Sequence, residues 1–232
     1  MTTLANGLGS NINSNMKGDK KMSKKAEWLV ITGLDGSGKT HLVEDLATYY
    51  RSKGLRVQTA HLPFDKHLGI EVLPKIKSSY ADRLLFALDN YVFSAKLEEW
   101  QSEYDLIISQ RGFFDSFVHG AVQGYSYGYI ARLNQIENLQ CPEVMIHLVA
   151  SAATAYARIK DDPDADKFEY PAYIRTQELE TRRGFDELVH GNDDLFAFAK
   201  AKNHLIDTTW LSMEETFEQA KAYLNRIGFM MK

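Results

Sequence analysis

Gly33-Leu34-Asp35-Gly36-Ser37-Gly38-Lys39-Thr40 decides the fold of this chain. It matches G-x-x-x-x-G-K-[ST], and it stands where that pattern has physical meaning, after a short apolar run (Trp28 to Thr32) and before a helical stretch. Glycines let successive backbone N–H groups turn toward one point. The following helix contributes the partial positive charge of its N-terminus, Lys39 adds a full one, and Thr40 offers a hydroxyl to Mg²⁺. Gly33, Gly36, Ser37, Gly38, Lys39 and Thr40 are therefore the expected cradle for the phosphates of a nucleoside triphosphate, ATP in the first instance.

Outward from the loop, strand and helix patterns alternate. Residues 39–53 carry Leu42, Val43, Leu46, Tyr49 and Tyr50 on one face and stop at Gly54. Further strand candidates are 55–60, 106–109, 144–149 and 204–207, separated by helical stretches at 80–103, 151–160, 170–189 and 213–226. Strands separated by helix-length segments require crossovers, so the expectation is an α/β fold, a five-stranded parallel sheet covered on both faces. It should occupy residues 26–232, preceded by a basic, disordered tail at 1–25.

Composition excludes several classes. The chain has 232 residues, 44% apolar and 25% charged, ordinary values for a globular protein with one large core. No apolar run reaches membrane-spanning length and no signal-peptide pattern opens the chain, so a cytoplasmic protein without a membrane partner is expected. Cys141 is the only cysteine and cannot form an internal disulfide. The net charge is −4; the tail holds five lysines and one acid, which leaves the body at −8. That sign opposes an extended nucleic acid surface, and any polyanion site must be a local pocket.

The loop leaves the phosphoryl acceptor open. No Asn-Lys-x-Asp guanine reader occurs, and the run Leu106-Ile107-Ile108-Ser109 ends in Gln110-Arg111 where a hydrolase usually carries an Mg²⁺-ordering Asp. A sugar-hydroxyl acceptor needs a carboxylate base, whereas a monophosphate is already largely anionic and needs cations to hold it. The strand ends beside the loop carry His61 and Arg111, neither of them an acid. A monophosphate acceptor is favoured. A deoxynucleoside kinase, or a nucleotide-binding protein of this fold without turnover, are the alternatives.

GLDGSGKT, LLFALDN (84–90), IISQRGF, IHLVASAATAYARIK, DADKFE (164–169) and LIDTTWLSMEE follow one another in the order seen in thymidylate kinases, and the chain resembles that family over about 27–227. The resemblance implies a nucleotide kinase fold with a mobile lid near 158–169, ATP and Mg²⁺ as donor and metal, dTMP or a related pyrimidine deoxynucleotide as acceptor, and a homodimer. It implies that Asp35 faces the acceptor, Arg111 binds its phosphate and Phe86 stacks on its base. Arg158, Lys160 and Lys167 would supply charge from the lid. Departures are Gln110 where the family has Asp, His61-Leu62-Pro63 where it has an Arg, and Asn90 where it has a base-reading Arg. Arg presents only donors and Asn both kinds of group, so Asn90 implies a changed hydrogen-bond code for the base. The aromatic that disfavours a ribose 2′-hydroxyl aligns with His119 or Val122, depending on where a gap is placed.

Overall fold

The computed structural model describes residues 25–161, 168–190 and 201–230. Five strands, β1 (Glu27–Gly33), β2 (Val57–His61), β3 (Leu106–Gln110), β4 (Val144–Val149) and β5 (Lys202–Asp207), form one parallel sheet in the order β2-β3-β1-β4-β5. Its helices are α1 (Lys39–Ser52), α2 (Ser79–Glu103), α3 (Phe113–Val122), α4 (Tyr127–Asn134), α5 (Ala152–Ile159), α6 (Pro171–His190) and α7 (Met213–Arg226). Of the tail expected at 1–25, residues 1–24 lie outside the described residues.

Side chains alternate across β1, so its two faces feed two cores. Leu29 and Ile31, with Leu106, Ile108, Ile146 and Leu148, meet Leu46 and Tyr50 of α1 and Leu224 of α7. Trp28 and Val30, with Ile107 and Met145, meet Phe93 and Leu97 of α2 and Phe114 and Val118 of α3. Burial on both faces explains why β3 and β4 read as unbroken apolar runs.

β2 begins two residues later than the expected 55–60. Gly54, at φ 85, donates to Arg51 O, and Leu55 N donates to Tyr50 O; both close the end of α1. α3 and α4 have no counterpart among the expected helices. Residues 113–120 of α3 are all buried, so no polar face marks the helical period. At Gly120 a β-carbon would lie 2.5 Å from Ile130 Cδ1, which shows how closely α4 packs on α3.

The chain reverses its direction of travel across the sheet at β1, whose neighbours are β3 and β4. In open parallel sheets the ligand crevice lies outside the carboxyl ends of the strands at such a point. The turn after β1, Arg111 after β3 and Ser151 after β4 all open there.

Candidate active site

The loop closes against the end of β4 and the start of α5. A β-carbon at Gly33 (φ 137) would lie 1.9 Å from Leu148 O, and one at Gly36 (φ 77) 2.3 Å from Ala155 O. Only glycine fits either position. Gly38 is the left-handed N-cap of α1 and faces open space. Ser37 Oγ is buried without a hydrogen-bond partner among the described residues, and Thr40 is exposed in the first turn of α1. These are the features of a cradle that takes a bound anion: backbone at a helix N-terminus, a spare hydroxyl and room.

Lys39 Nζ is held by Gly33 O (3.0 Å), Leu34 O (2.9 Å) and Asp35 Oδ1 (3.1 Å). Arg111 Nη2 donates to that same Asp35 oxygen. One carboxylate therefore bridges the loop cation and the strand-end cation. Burial raises the Asp35 carboxyl, and the charges of Arg111 and Lys39 overcome that and hold it well below the usual carboxylate range. Burial lowers Lys39, and Asp35 offsets only part of it.

Arg111 sits at φ 68, a left-handed conformation rare in non-glycine residues. Arg111 N donates to Ile31 O (2.8 Å), and Ser109 Oγ donates to Arg111 O (3.1 Å), so the turn is held from both sides. Its strain aims the guanidinium back over the loop. Arg111 Nη1 also lies 2.9 Å from His119 Nε2. Arg only donates, so Nε2 accepts and the proton sits on Nδ1, which donates to Tyr173 Oη at 2.6 Å. Burial and then Arg111 push His119 well below its ordinary pKa, so the ring is neutral. It also stacks on Phe86, with planes 12° apart and centroids 6.2 Å apart. Of the two positions aligned with the family's sugar-discriminating aromatic, His119 touches Arg111 and Phe86, and Val122 packs, as Phe86 does, against Leu73, Leu85, Phe168 and Tyr173.

His61 stands opposite Gln110 at the end of the β2–β3 ladder. Partial burial and then the charges of Arg111 and Lys39 lower its pKa; its ring is more than a third exposed, and solvent blunts the burial contribution. It supplies no dependable cation at neutral pH. Phe86 is half-buried beside the Arg83 guanidinium, 4.7 Å from its ring centroid. Asn90 is buried on α2. Its amide nitrogen donates to Ser116 Oγ (3.1 Å) and Asn134 Oδ1 (2.9 Å), tying α2 to α3 and α4.

On the donor side, Arg158 donates to Gly36 O (3.1 Å) and to Thr208 O (2.9 Å), and Thr208 Oγ1 donates to Ser37 O (3.0 Å). Arg158 is thus a strut between α5, the loop and the end of β5. Lys160 is exposed and lies 3.9 Å from Asp161. Lys167 lies outside the described residues. Asp115 was missed by the sequence reading. It accepts from Thr32 Oγ1 (2.8 Å) and Gly112 N (2.9 Å), and is buried within electrostatic reach of Arg111 and Lys39. Its only sequence signal is an acid at the third position of α3, where it caps that helix.

A parallel sheet, a glycine loop opening onto a helix N-terminus, and a loop cation joined to a strand-end cation through one carboxylate define an α/β protein of the phosphate-loop class. The thymidylate kinase family profile matches residues 31–209. A probable thymidylate kinase of Methanothermobacter thermautotrophicus is 27% identical over 172 residues, covering 68% of this chain and 83% of that protein. Probable thymidylate kinase 1 of Saccharolobus solfataricus is 31% identical over 155 residues, covering 64% and 76%. A solved thymidylate kinase from Candida albicans superposes with a TM-score of 0.64 at 16% identity, covering 88% of this chain and 93% of its own. The chain belongs to the thymidylate kinase family.

Proposed function

We propose that this protein transfers the γ-phosphoryl group of ATP to a pyrimidine deoxynucleoside monophosphate, dTMP before others. The observation that carries the reading is the shared Asp35 oxygen, which puts the cation of the donor loop and the cation at the end of β3 on either side of one point. Phosphoryl transfer between two polyanions needs that arrangement: opposite charge at both, held in line, with little covalent chemistry left to the protein. Lys39 and the loop amides hold the donor phosphates, Arg111 the acceptor phosphate, and Phe86 the base face. Asp35 orients Arg111 and Lys39 toward each other.

No general base is required, because the attacking oxygen of a monophosphate is already anionic. The carboxylates nearest the loop agree with that division of labour, Asp35 being bonded to two cations and Asp115 to Thr32 and Gly112 N. A deoxynucleoside kinase would need one of them free. Among the described residues no group of three His, Cys, Asp or Glu side chains could hold a metal alone. The Thr40 hydroxyl would be the protein ligand of a Mg²⁺ ion carried by the triphosphate, and such an ion would supply positive charge to offset that of the phosphates.

The test is ATP consumption measured against the common ribo- and deoxyribonucleoside monophosphates, with nucleosides as controls. Turnover should appear with dTMP and fall about 100-fold or more in Lys39→Ala, the scale of losing one preorganised charge at a transition state. Full activity in that variant, or turnover confined to nucleosides, refutes the reading.

We also propose that the protein works as a homodimer in the cytoplasm. Tyr80, Leu84, Leu88 and Val92 recur every four residues on α2, and all four are exposed. A second copy of this stripe is the expected cover, since family resemblance implies pairing of two copies. Light scattering should give twice the chain mass, and Leu84→Glu with Leu88→Glu should halve it; a monomeric parent protein would remove the proposal. No helix of the described residues is long and apolar enough to cross a membrane.

A further inference from the structure

Arg83 lies on α2 one turn before Phe86 and two turns before Asn90, on the same stripe of the helix. Its side chain is 2% exposed, and Nε, Nη1 and Nη2 all lack a hydrogen-bond acceptor among the described residues. A buried guanidinium is ordinarily paired, because every one of its five N–H groups loses water on burial. Tyr173, Asp82 and Tyr125 lie within electrostatic reach of it without accepting its N–H groups, and its closest contacts offer surface. Cζ lies 4.7 Å from the Phe86 centroid, and a β-carbon at Gly120 would lie 3.8 Å from Cδ. The ring face offsets part of the desolvation and supplies no acceptor in the plane of the fork.

We propose that Arg83 reads the base of the acceptor nucleotide through a keto oxygen, the task that the family resemblance had assigned to position 90. This rests on the reading above, in which the base stacks on Phe86. A planar fork beside a stacking ring suits a planar ligand that carries acceptors on its edge. The surroundings select a base over a phosphate: Leu73, Leu85, Phe168 and Tyr173 form an apolar cluster here, with Phe86 packed against it. A guanidinium has donors only, so it pairs with O4 of thymine or uracil and opposes the amino group of cytosine. Meanwhile the Asn90 amide nitrogen is taken by Ser116 and Asn134. The donor lost at position 90 is thus supplied from the other side of Phe86 by Arg83.

The experiment compares wild type, Arg83→Met and Arg83→Lys for kcat/KM with dTMP, dUMP and dCMP, together with melting temperature and binding of a fluorescent ATP analogue. Arg83→Met should lower kcat/KM for the two keto pyrimidines about 10- to 100-fold, the scale of one charge-assisted hydrogen bond to a keto oxygen, and change dCMP far less. Its affinity for the ATP analogue should hold, and its melting temperature should stay level or rise, since a buried charge with no hydrogen-bond acceptor among the described residues has been removed. Arg83→Lys should recover part of the preference. The assignment is overturned by an unchanged dTMP-to-dCMP ratio in Arg83→Met, by an equal loss on all acceptors, by a melting temperature several degrees lower, or by Asn90→Ala collapsing the ranking in its place. If wild type phosphorylates none of the three, the proposed function fails and Arg83 is judged by calorimetry: tighter binding of dTMP than dCMP that vanishes in Arg83→Met supports it, and equal binding by wild type refutes it.

Discussion

Replacing Asp35 by Asn removes one negative charge from between two positive ones while keeping the side-chain shape. The Lys39, Asp35 and Arg111 side chains are only 4%, 8% and 16% exposed, so water cannot take over. Removing one member of a buried ion pair costs roughly 3–5 kcal/mol, because a charge is left without its counterion. In a protein of this size each kcal/mol moves the melting temperature by about 2–4 °C, so calorimetry should show a fall of roughly 6–20 °C. The pH dependence has a definite sign. Asp35 is held below its unfolded value of about 3.9, so its contribution is complete above that pH and is lost as the pH falls further. The gap between wild type and Asp35→Asn should therefore be the same at pH 7 and pH 5 and close only below about 4. Inorganic phosphate should rescue the variant, since two uncompensated cations make an anion site; at 100 times its Kd a ligand adds about 2.7 kcal/mol. A melting temperature within about 2 °C of wild type, or phosphate stabilisation no greater than in wild type, would refute the bridging role of Asp35.

Gly33→Ala places a β-carbon 1.9 Å from Leu148 O and must push β1 and β4 apart, whereas Gly38→Ala meets nothing within 4 Å. The first should not yield folded protein, and the second should lose only about 1–2 kcal/mol for its left-handed backbone; denaturant melts that rank them the other way contradict the close packing of the loop. His147 is wholly buried, donates to Asn203 Oδ1 at 2.9 Å and meets the edges of Phe114 and Phe185. Burial pushes its pKa down to about 4, so the unfolded chain binds a proton that the folded one refuses. Stability should drop by roughly 3 kcal/mol from pH 7 to pH 4 on this account, and urea melts of His147→Phe should lose that part of the slope; an unchanged slope removes His147 as the cause.

The repeating strand-and-helix pattern was legible because periodicity is a local property. Leu42, Leu46 and Tyr50 mark one face of α1, and the apolar runs of β1, β3 and β4 need no neighbour to be recognised. α3 was invisible for the opposite reason: buried from Phe113 to Gly120, it has no polar face to set a period. At the site, the loop motif located Lys39 at the start of α1, and the strand pattern located Arg111 just after β3. It could not show that Asp35 joins them, since that contact spans 76 residues of chain.

Asn90 and Arg83 show the same boundary from the other side. The family resemblance makes Asn90 the successor of a base-reading Arg, and Ser116 and Asn134, brought in by α3 and α4, take its amide nitrogen. Nothing local distinguishes Arg83 from a solvated helix cation, and only the packing of α3 and the cluster around Tyr173 turns it into a buried one without a hydrogen-bond acceptor among the described residues. The sequence by itself determined the phosphate loop, the parallel α/β fold and the family, because glycine torsions, helix polarity and hydrophobic period are written residue by residue. Tertiary structure decided which side chains are neutralised, which are neutral and which await a partner, because burial and distance exist only once the chain has folded.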